Sequence, residues 1–132
     1  MFEAAELGHT LSKRTYEEIE PKLRLELLEV QQRLRTAKFP VIILFAGVDG
    51  AGKTETINLL NSWMDPRWTA TQAYGASSDE ERERPEFWRF WRALPAKGKI
   101  GFFLSSWYSK PLIEHVYDET SEAELEQRLA RI

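Results

Sequence analysis

The hydrophobic positions near the amino terminus repeat at helical spacing. Apolar side chains recur every three or four residues, at Tyr16, Ile19, Leu23, Leu27, Val30 and Leu34. This period predicts an amphipathic helix whose apolar face would cover a sheet, another subunit or another domain. A capping-box pattern places the start of the helix at Thr15, with Glu18 three residues later. Pro21 instead suits the first turn of a helix that begins near Glu20.

Three shorter apolar runs follow, each with the length of a strand. Residues 41–46 form an unbroken run rich in β-branched side chains, which predicts a strand buried on both faces. Residues 68–74 alternate weakly, and residues 100–104 form a third run. Because helical stretches separate these runs, the pattern predicts an α/β fold with a parallel sheet of about three strands, preceded by the amino-terminal helix.

The loop after the first strand carries a phosphate-binding pattern. Residues 47–54 read GVDGAGKT and match GxxxxGK[ST], between a strand and a helical stretch. The glycines let backbone N–H groups form an anion-binding nest, and the start of the helix adds its positive dipole end. Lys53 would reach the terminal phosphates, and the Thr54 hydroxyl would hold a Mg²⁺ ion. The predicted phosphate- and nucleotide-binding residues of the loop are Gly47, Asp49, Gly50, Ala51, Gly52, Lys53 and Thr54.

Composition restricts the class of protein and of partner. The chain has 132 residues, 42% hydrophobic and 30% charged, which is typical of one modest globular domain. Its net charge of −3 predicts no general attraction to nucleic acid or to a membrane. It contains no cysteine, so disulfides and thiolate metal sites are excluded. Because the amino end lacks an apolar signal core and no apolar run could span a bilayer, we expect a cytoplasmic protein.

Arginines and aromatic residues are interleaved between the second and third runs. Ser78 and Glu81 form a second capping-box pattern, which predicts one helix over residues 79–93. The segment holds Arg82, Arg84, Arg89 and Arg92 among Phe87, Trp88, Phe90 and Trp91. A solvated arginine face is one interpretation of this pattern. Near a phosphate site, guanidinium groups would pair with phosphate oxygens, so Arg89 is a further candidate phosphate- or nucleotide-binding residue.

Three stretches of the chain together are typical of one family. They are GVDGAGKT at residues 47–54, SDEERERPEFWRFWRALPAKGKIGFF at residues 78–103 and SWY at residues 106–108. With them the chain resembles the polyphosphate kinase 2 family over essentially its whole length, most closely the amino-terminal half of fused, two-domain members. The resemblance implies a P-loop kinase-like, three-layer α/β/α fold. It also implies Mg²⁺-dependent phosphoryl transfer between inorganic polyphosphate and a nucleotide (AMP, ADP or ATP), with Asp49 and Lys53 as catalytic residues and Asp49 sharing the metal with Thr54.

Two features depart from the pattern of that family. Active members carry an aspartate–arginine or asparagine–arginine pair just before the Ser-Trp-Tyr-type segment, where this chain has Leu104 and Ser105. Leucine and serine can neither organise a metal nor neutralise a transferring phosphoryl group, so we expect turnover to fall by a factor on the order of 10³ or more. The lid and later strands of the family lie beyond Ile132. We therefore expect a degenerate domain.

These features predict that the chain is divided into two parts and that its sheet has an open edge. Residues 1–38 would form an arm and a helix, and residues 39–132 a P-loop kinase-like domain without its lid. A sheet of three parallel strands leaves an edge uncovered, and we expect residues 100–104 at or near it. Such an edge predicts a homo-oligomer or association with a second kinase domain.

Three functions are compatible with the sequence. The first is a degenerate polyphosphate kinase 2-like phosphotransferase domain, and the second is a non-catalytic nucleotide- or phosphate-binding domain that supports an active partner domain. The third, another P-loop nucleotide kinase, is disfavoured by the tryptophan–arginine segment and by SWY at residues 106–108. His9 and His115 have no visible catalytic partner, and we interpret them as surface or packing residues.

Overall fold

A computed structural model describes residues 10–48 and 50–132; the predictions for the arm at residues 1–9 and for Asp49 lie outside these described residues. The helices are α1 (Lys13–Leu34), α2 (Lys53–Trp63), α3 (Asp79–Arg82), α4 (Trp88–Trp91), α5 (Ser109–Val116) and α6 (Glu122–Leu129), with a 3₁₀ turn at Pro66–Trp68. The strands are β1 (Val41–Phe45), β2 (Thr69–Ala73) and β3 (Ile100–Leu104). Within the described ranges, no helix is both long and apolar enough to cross a membrane.

The three strands form one parallel sheet in the order β1-β3-β2. The last residues of β1 and β2 both pair with Leu104, so the three strands end in register. The expectation that β3 lies at an edge is therefore wrong. β3 carries the bulky side chains Phe102 and Phe103 on opposite faces, and the central position buries both of them completely. The open edges belong to β1 and β2.

One face of the sheet packs against α1 and α2. The buried core on this face consists of Leu34, Ile57, Trp63, Met64, Ile100 and Phe102. Gln31 of α1 is also buried; its amide donates to the Asp65 carbonyl oxygen at 2.9 Å, and its side-chain oxygen accepts from the Asp65 N–H at 2.8 Å. Because both ends of the amide are satisfied, its burial is tolerated. This layer fixes α2 behind the phosphate loop.

The opposite face packs against a cluster of aromatic rings. The ring centre of Phe103 lies 5.7 Å from that of Tyr74 and 5.9 Å from that of Trp107. Phe90 of α4 contacts the same two rings, at 4.5 and 5.8 Å. These tilted and edge-on arrangements are favourable for aromatic pairs. The sheet is thus the middle layer of the predicted P-loop kinase-like α/β/α architecture.

α1 begins earlier than either sequence interpretation proposed. Its N-cap is Ser12, whose hydroxyl accepts a hydrogen bond from the Thr15 N–H at 3.1 Å. Pro21 lies inside the helix, not in its first turn. The proline removes one backbone donor, but this part of α1 is exposed, so water can satisfy the carbonyl that loses its partner. The cap and the packing of the last turns hold the helix on both sides of the proline.

Two short helices replace the single helix predicted for residues 79–93. Ser78 and Glu81 form the predicted capping box, but α3 ends after one turn. Pro85 interrupts the pattern, because proline has no N–H and its ring clashes with the preceding turn of a helix. The chain turns there before α4 begins. This break lets residues of α3, of the turn and of α4 face a common space.

Candidate functional site

The segments that follow the three strands lie side by side, because parallel strands end at the same edge of a sheet. The Ser105 N–H donates to the Phe45 carbonyl oxygen at 3.3 Å, which joins the segment after β3 to the end of β1. The Tyr74 N–H donates to the Leu104 carbonyl oxygen at 3.2 Å, which joins the segment after β2 to the end of β3. The phosphate loop after β1 is therefore the neighbour of the segment after β3.

The phosphate loop uses backbone conformations that favour glycine. Gly47, Gly50 and Gly52 have φ values of 150°, 79° and 78°. An added Cβ at Gly50 or Gly52 would meet no atom within 4 Å, so the backbone conformation, and not a lack of space, requires glycine there. Gly52 is also the N-cap of α2. The loop thus leads directly into a helix start, whose first N–H groups have no partner within the helix and suit an anion.

Lys53 folds back onto its own loop. Its Nζ donates to the carbonyl oxygens of Gly47 and Val48, both at 2.7 Å. These two hydrogen bonds hold the ammonium group over the loop, where the motif predicts a phosphate contact. Phosphate oxygens are charged acceptors and form stronger hydrogen bonds with an ammonium group than neutral carbonyls do. A phosphate can therefore compete for Lys53.

Thr54 is the described loop residue that suits a metal ion. Its side chain is exposed in the first turn of α2, and a hydroxyl oxygen is a ligand that Mg²⁺ accepts. Among residues 10–48 and 50–132, no cluster of three or more His, Cys, Asp or Glu side chains could hold a metal. Mg²⁺ needs only one or two protein oxygens besides water and substrate phosphates, so Thr54 fits this ion. The metal role of Asp49 stays a prediction.

A cavity of about 650 Å³ opens at the same edge of the sheet, where β2 and β3 end. Its lining residues come from three segments: 74–77 after β2, 81–90 across α3 and α4, and 105–110 after β3. Phe87, Phe90 and Trp107 give it an aromatic wall. Its volume lies within the range of about 300–1,000 Å³ that is usual for small-molecule sites. Sequence reasoning missed this cavity.

Arg89 lines the cavity and is held by several contacts. Its Nη1 donates to the Gly75 carbonyl oxygen and to the Ser77 hydroxyl, both at 3.1 Å. Its guanidinium carbon lies 5.1 Å from the centre of the Tyr74 ring, and its Nε lies 3.4 Å from a carboxylate oxygen of Glu81. These contacts fix the segment after β2 against α4. The structure thus places the predicted Arg89 in the cavity wall.

Three buried donors of cavity residues have no hydrogen-bond partner among the described residues. They are the Tyr74 hydroxyl, Arg89 Nε and Trp107 Nε1. The Arg89 Nε approaches Glu81 without the geometry of a hydrogen bond. Burial raises the pKa of Tyr74, so its hydroxyl keeps its proton. Unpartnered buried donors are rare, and these three lie behind the cavity surface, so a ligand would reach them only if the wall rearranged.

The remaining cations of the cavity are themselves exposed, and each forms an ion pair. The pairs are Arg82 with Asp79, Arg84 with Glu80 at 3.7 Å, and Lys110 with Glu114 at 3.5 Å. Pairs of this kind contribute little stability, so the cations can turn towards a charged ligand. His115 contributes nothing to the cavity: its Nδ1 lies 3.1 Å from the Thr120 carbonyl oxygen in the turn before α6, which agrees with a packing role. His9 lies outside the described residues.

Comparisons with known proteins agree with this geometry. The family profile described as Polyphosphate kinase 2 matches residues 10–132. The polyphosphate:AMP phosphotransferase of Pseudomonas aeruginosa is 52% identical over 130 residues, which cover 98% of this chain and 26% of that protein. The protein of the same name from Pseudomonas syringae pv. tomato is 45% identical over 131 residues, again 98% of this chain and 26% of that protein.

A solved structure agrees as well. A crystal structure of a Pseudomonas aeruginosa protein assigned as polyphosphate kinase 2 superposes with a TM-score of 0.87 and 52% identity, over 98% of this chain and 28% of that chain. The chain thus spans about a quarter of the length of the proteins that it matches. The match extends from α1 to the last residue and includes the phosphate loop and all cavity segments. The chain belongs to the polyphosphate kinase 2 family.

Proposed function

We propose that this chain is the phosphate- and nucleotide-binding part of a kinase that transfers phosphoryl groups between inorganic polyphosphate and a nucleotide. The observation that carries the proposal is the position of the phosphate loop beside the cavity, joined by the hydrogen bond from the Ser105 N–H to the Phe45 carbonyl oxygen. The names of two relatives, both polyphosphate:AMP phosphotransferases, support polyphosphate and AMP as ligands. Because the chain spans about a quarter of these relatives, the activity of the whole protein is part of the proposal.

The loop binds the phosphates that take part in the transfer. Its backbone N–H groups and the start of α2 bind phosphate oxygens, as helix starts commonly do. Lys53 exchanges its carbonyl acceptors for phosphate oxygens and neutralises charge on the transferred group. Phosphoryl transfer depends mainly on positioning and on charge stabilisation, and the loop supplies both. Asp49 and Lys53 are the proposed catalytic residues.

Thr54 and Asp49 are the proposed ligands of Mg²⁺. When bound, this ion supplies positive charge that offsets the charge of the phosphate oxygens. The Thr54 side chain is exposed at the start of α2 and directly follows Lys53 in the sequence. The proposed metal ligand and the lysine therefore lie in the same turn of the helix.

The cavity binds the nucleoside part of AMP. The aromatic rings of Phe87, Phe90 and Trp107 offer apolar surface to a base. Arg89 in the wall is the predicted phosphate- or nucleotide-binding residue of this cavity. The exposed cations at the cavity face the phosphate. The nucleotide phosphate would then point along the sheet edge to the loop.

We further propose that the chain by itself catalyses phosphoryl transfer only slowly. Leu104 ends β3 and packs against the core, and Ser105 follows with a left-handed φ of 72°. Neither side chain carries a charge, so neither can neutralise the transferring phosphoryl group or supply the acidic group expected at this position. The same observation favours a second candidate function, a non-catalytic nucleotide-binding domain that supports an active partner domain.

Calorimetric titration with tripolyphosphate and with AMP, each with Mg²⁺, tests the proposal. The wild-type chain should bind both ligands. Lys53→Ala should weaken tripolyphosphate binding at least about tenfold, because it removes a charge-assisted contact. Lys97→Ala, at an exposed lysine in the turn before β3, is the matched control and should bind like wild type. Equal affinities of wild type and Lys53→Ala, or no binding of either ligand by wild type, would contradict the proposal.

A further inference from the structure

Arg128 of α6 binds two carboxylates from different parts of the chain. Its Nε donates to Glu86 at 3.1 Å, its Nη2 donates to the same carboxylate, and its Nη1 donates to Glu114 of α5. The side chains of Arg128, Glu86 and Glu114 are only 16%, 32% and 22% exposed. Solvent and salt therefore screen these pairs less than pairs on the open surface.

This bridge joins two segments of the cavity lining. Glu86 lies in the turn between α3 and α4 and lines the cavity itself. Glu114 pairs at 3.5 Å with Lys110, a lining residue from the segment after β3. One guanidinium group, contributed by an element outside the lining, thus holds charged groups on both segments.

The charges of the bridge matter for an anionic ligand. Burial opposes the charge of Arg128, but its hydrogen bonds to Glu114 and Glu86 outweigh burial and raise its pKa, so it is charged at any working pH. The hydrogen bond from Arg128 likewise lowers the pKa of Glu114. Without Arg128, the Glu86 carboxylate would stand uncompensated in the wall of a site for a phosphate-bearing ligand. Like charges in such a position repel the ligand.

We propose that Arg128 is a positioning residue for nucleotide binding: it neutralises Glu86 and holds that carboxylate towards α6, so that the cavity accepts AMP. The inference rests on the proposed function, because it requires AMP in the cavity. A bridge with a purely structural role predicts something different, namely that every variant that breaks it weakens AMP binding. If Arg128 acts by masking charge, only variants that leave Glu86 negative weaken binding.

AMP titration of the full chain and its variants separates the two roles. Arg128→Gln leaves Glu86 charged and should weaken AMP binding about tenfold. Glu86→Gln breaks the same contact but removes the negative charge, and should bind AMP as tightly as wild type or up to about threefold more tightly. The double variant Glu86→Gln/Arg128→Gln should return to within about twofold of wild type. Arg131→Gln, at an exposed arginine of the same segment, is the matched control.

Salt adds a readout that a structural role would not change. The loss of AMP affinity in Arg128→Gln, relative to wild type, should become smaller as NaCl rises from about 50 mM to about 500 mM, because salt screens the repulsion by Glu86. Urea unfolding establishes that each variant is folded. If Arg128→Gln does not fold, the AMP affinity of Glu86→Gln decides between charge masking and a structural role. The inference is overturned if folded Arg128→Gln binds AMP like wild type, if Glu86→Gln loses affinity, or if the double variant is not restored.

The failure of the inference can be told apart from the failure of the proposed function. A wild-type chain that binds tripolyphosphate through Lys53 but does not bind AMP overturns the role of Arg128 and leaves the loop in place. A wild-type chain that binds neither ligand overturns both.

Discussion

The phosphate loop and the cavity share one edge of the sheet but are held together in different ways. The loop, residues 47–54, owes its shape to glycine backbone and to contacts within itself, such as those of the Lys53 ammonium group. The cavity owes its shape to side chains that are distant in sequence: Arg128 reaches Glu86, 42 positions away. A local motif therefore specifies the loop, whereas the tertiary fold specifies the cavity.

This difference should be visible in the effects of substitutions. A change in the loop should affect ligand binding more than stability, because few buried contacts depend on it. A change to an aromatic ring of the cavity wall should affect both, because these rings also cover the sheet.

The largest expected effect lies where the two regions meet, at the end of β3. The purified chain should show phosphoryl transfer from polyphosphate to AMP that is slower by a factor on the order of 10³ than in active relatives, because Leu104 and Ser105 carry no charge. Chromatography of the nucleotide products measures the rate. Robust turnover that Lys53→Ala abolishes would contradict this expectation and would mean that the two regions suffice for catalysis.

The next effect is on stability, and it is expected on the cavity side. Phe103→Ala should lower the free energy of unfolding by about 3–5 kcal/mol, because it removes a completely buried ring that contacts Tyr74 and Trp107. That is a large part of the roughly 5–15 kcal/mol usual for a small domain. Urea unfolding followed by tryptophan fluorescence measures the loss, and AMP binding should fall with it.

Gly52→Ala is the substitution in the loop that corresponds to Phe103→Ala on the cavity side. Its φ of 78° costs an alanine about 1–2 kcal/mol, while its Cβ would enter open space. The free energy of unfolding should fall by no more than this amount, whereas tripolyphosphate binding should fall at least about tenfold because the nest is distorted. If Gly52→Ala destabilised the fold as much as Phe103→Ala does, the contrast between the two regions would be lost.

The smallest effect is the dependence of stability on acid. Arg128 lowers the pKa of Glu114 in the folded state below its ordinary 4.5, so the folded state binds this proton less readily than the unfolded state. The resulting stability is present above about pH 4.5 and is lost as the pH falls through the lowered folded pKa.

Arg128→Gln should flatten this acid dependence by about 1 kcal/mol or less, since the pair is only partly buried. Urea midpoints of wild type, Arg128→Gln and Arg131→Gln between about pH 7 and pH 3 measure it. If the urea midpoint of Arg128→Gln depends on pH as strongly as that of wild type, Glu114 does not contribute to the loss of stability in acid.

The features that were predicted correctly from the sequence are those that depend on contiguous residues. The three strands, the capping box at Ser78 and the glycine conformations of the described loop residues each depend on neighbours within a few positions, and the structure agrees with these predictions. The break at Pro85 was missed, because one helix was predicted over residues 79–93, although a proline seven residues after a cap rarely lies inside a regular helix. The family assignment likewise depended on contiguous motifs and is confirmed.

The parts that were missed depend on strand order and on long-range contacts. Nothing in the run at residues 100–104 distinguishes a central strand from an edge strand, because both can be apolar. The structure leaves Ile43 and Leu44 of the edge strand β1 38% and 37% exposed, so the predicted association is now expected at β1. Association and the domain boundary after residue 38 stay predictions.

The affinity of ADP with Mg²⁺, compared with that of adenosine, tests most directly whether the loop and the cavity form one site. ADP carries a nucleoside for the cavity and a phosphate chain for the loop. We expect wild type to bind ADP at least about tenfold more tightly than adenosine, since linked groups that bind neighbouring regions gain affinity together. Lys53→Ala should remove most of this advantage and leave adenosine binding unchanged. An ADP affinity no higher than that of adenosine, or an advantage that persists in Lys53→Ala, would contradict the account.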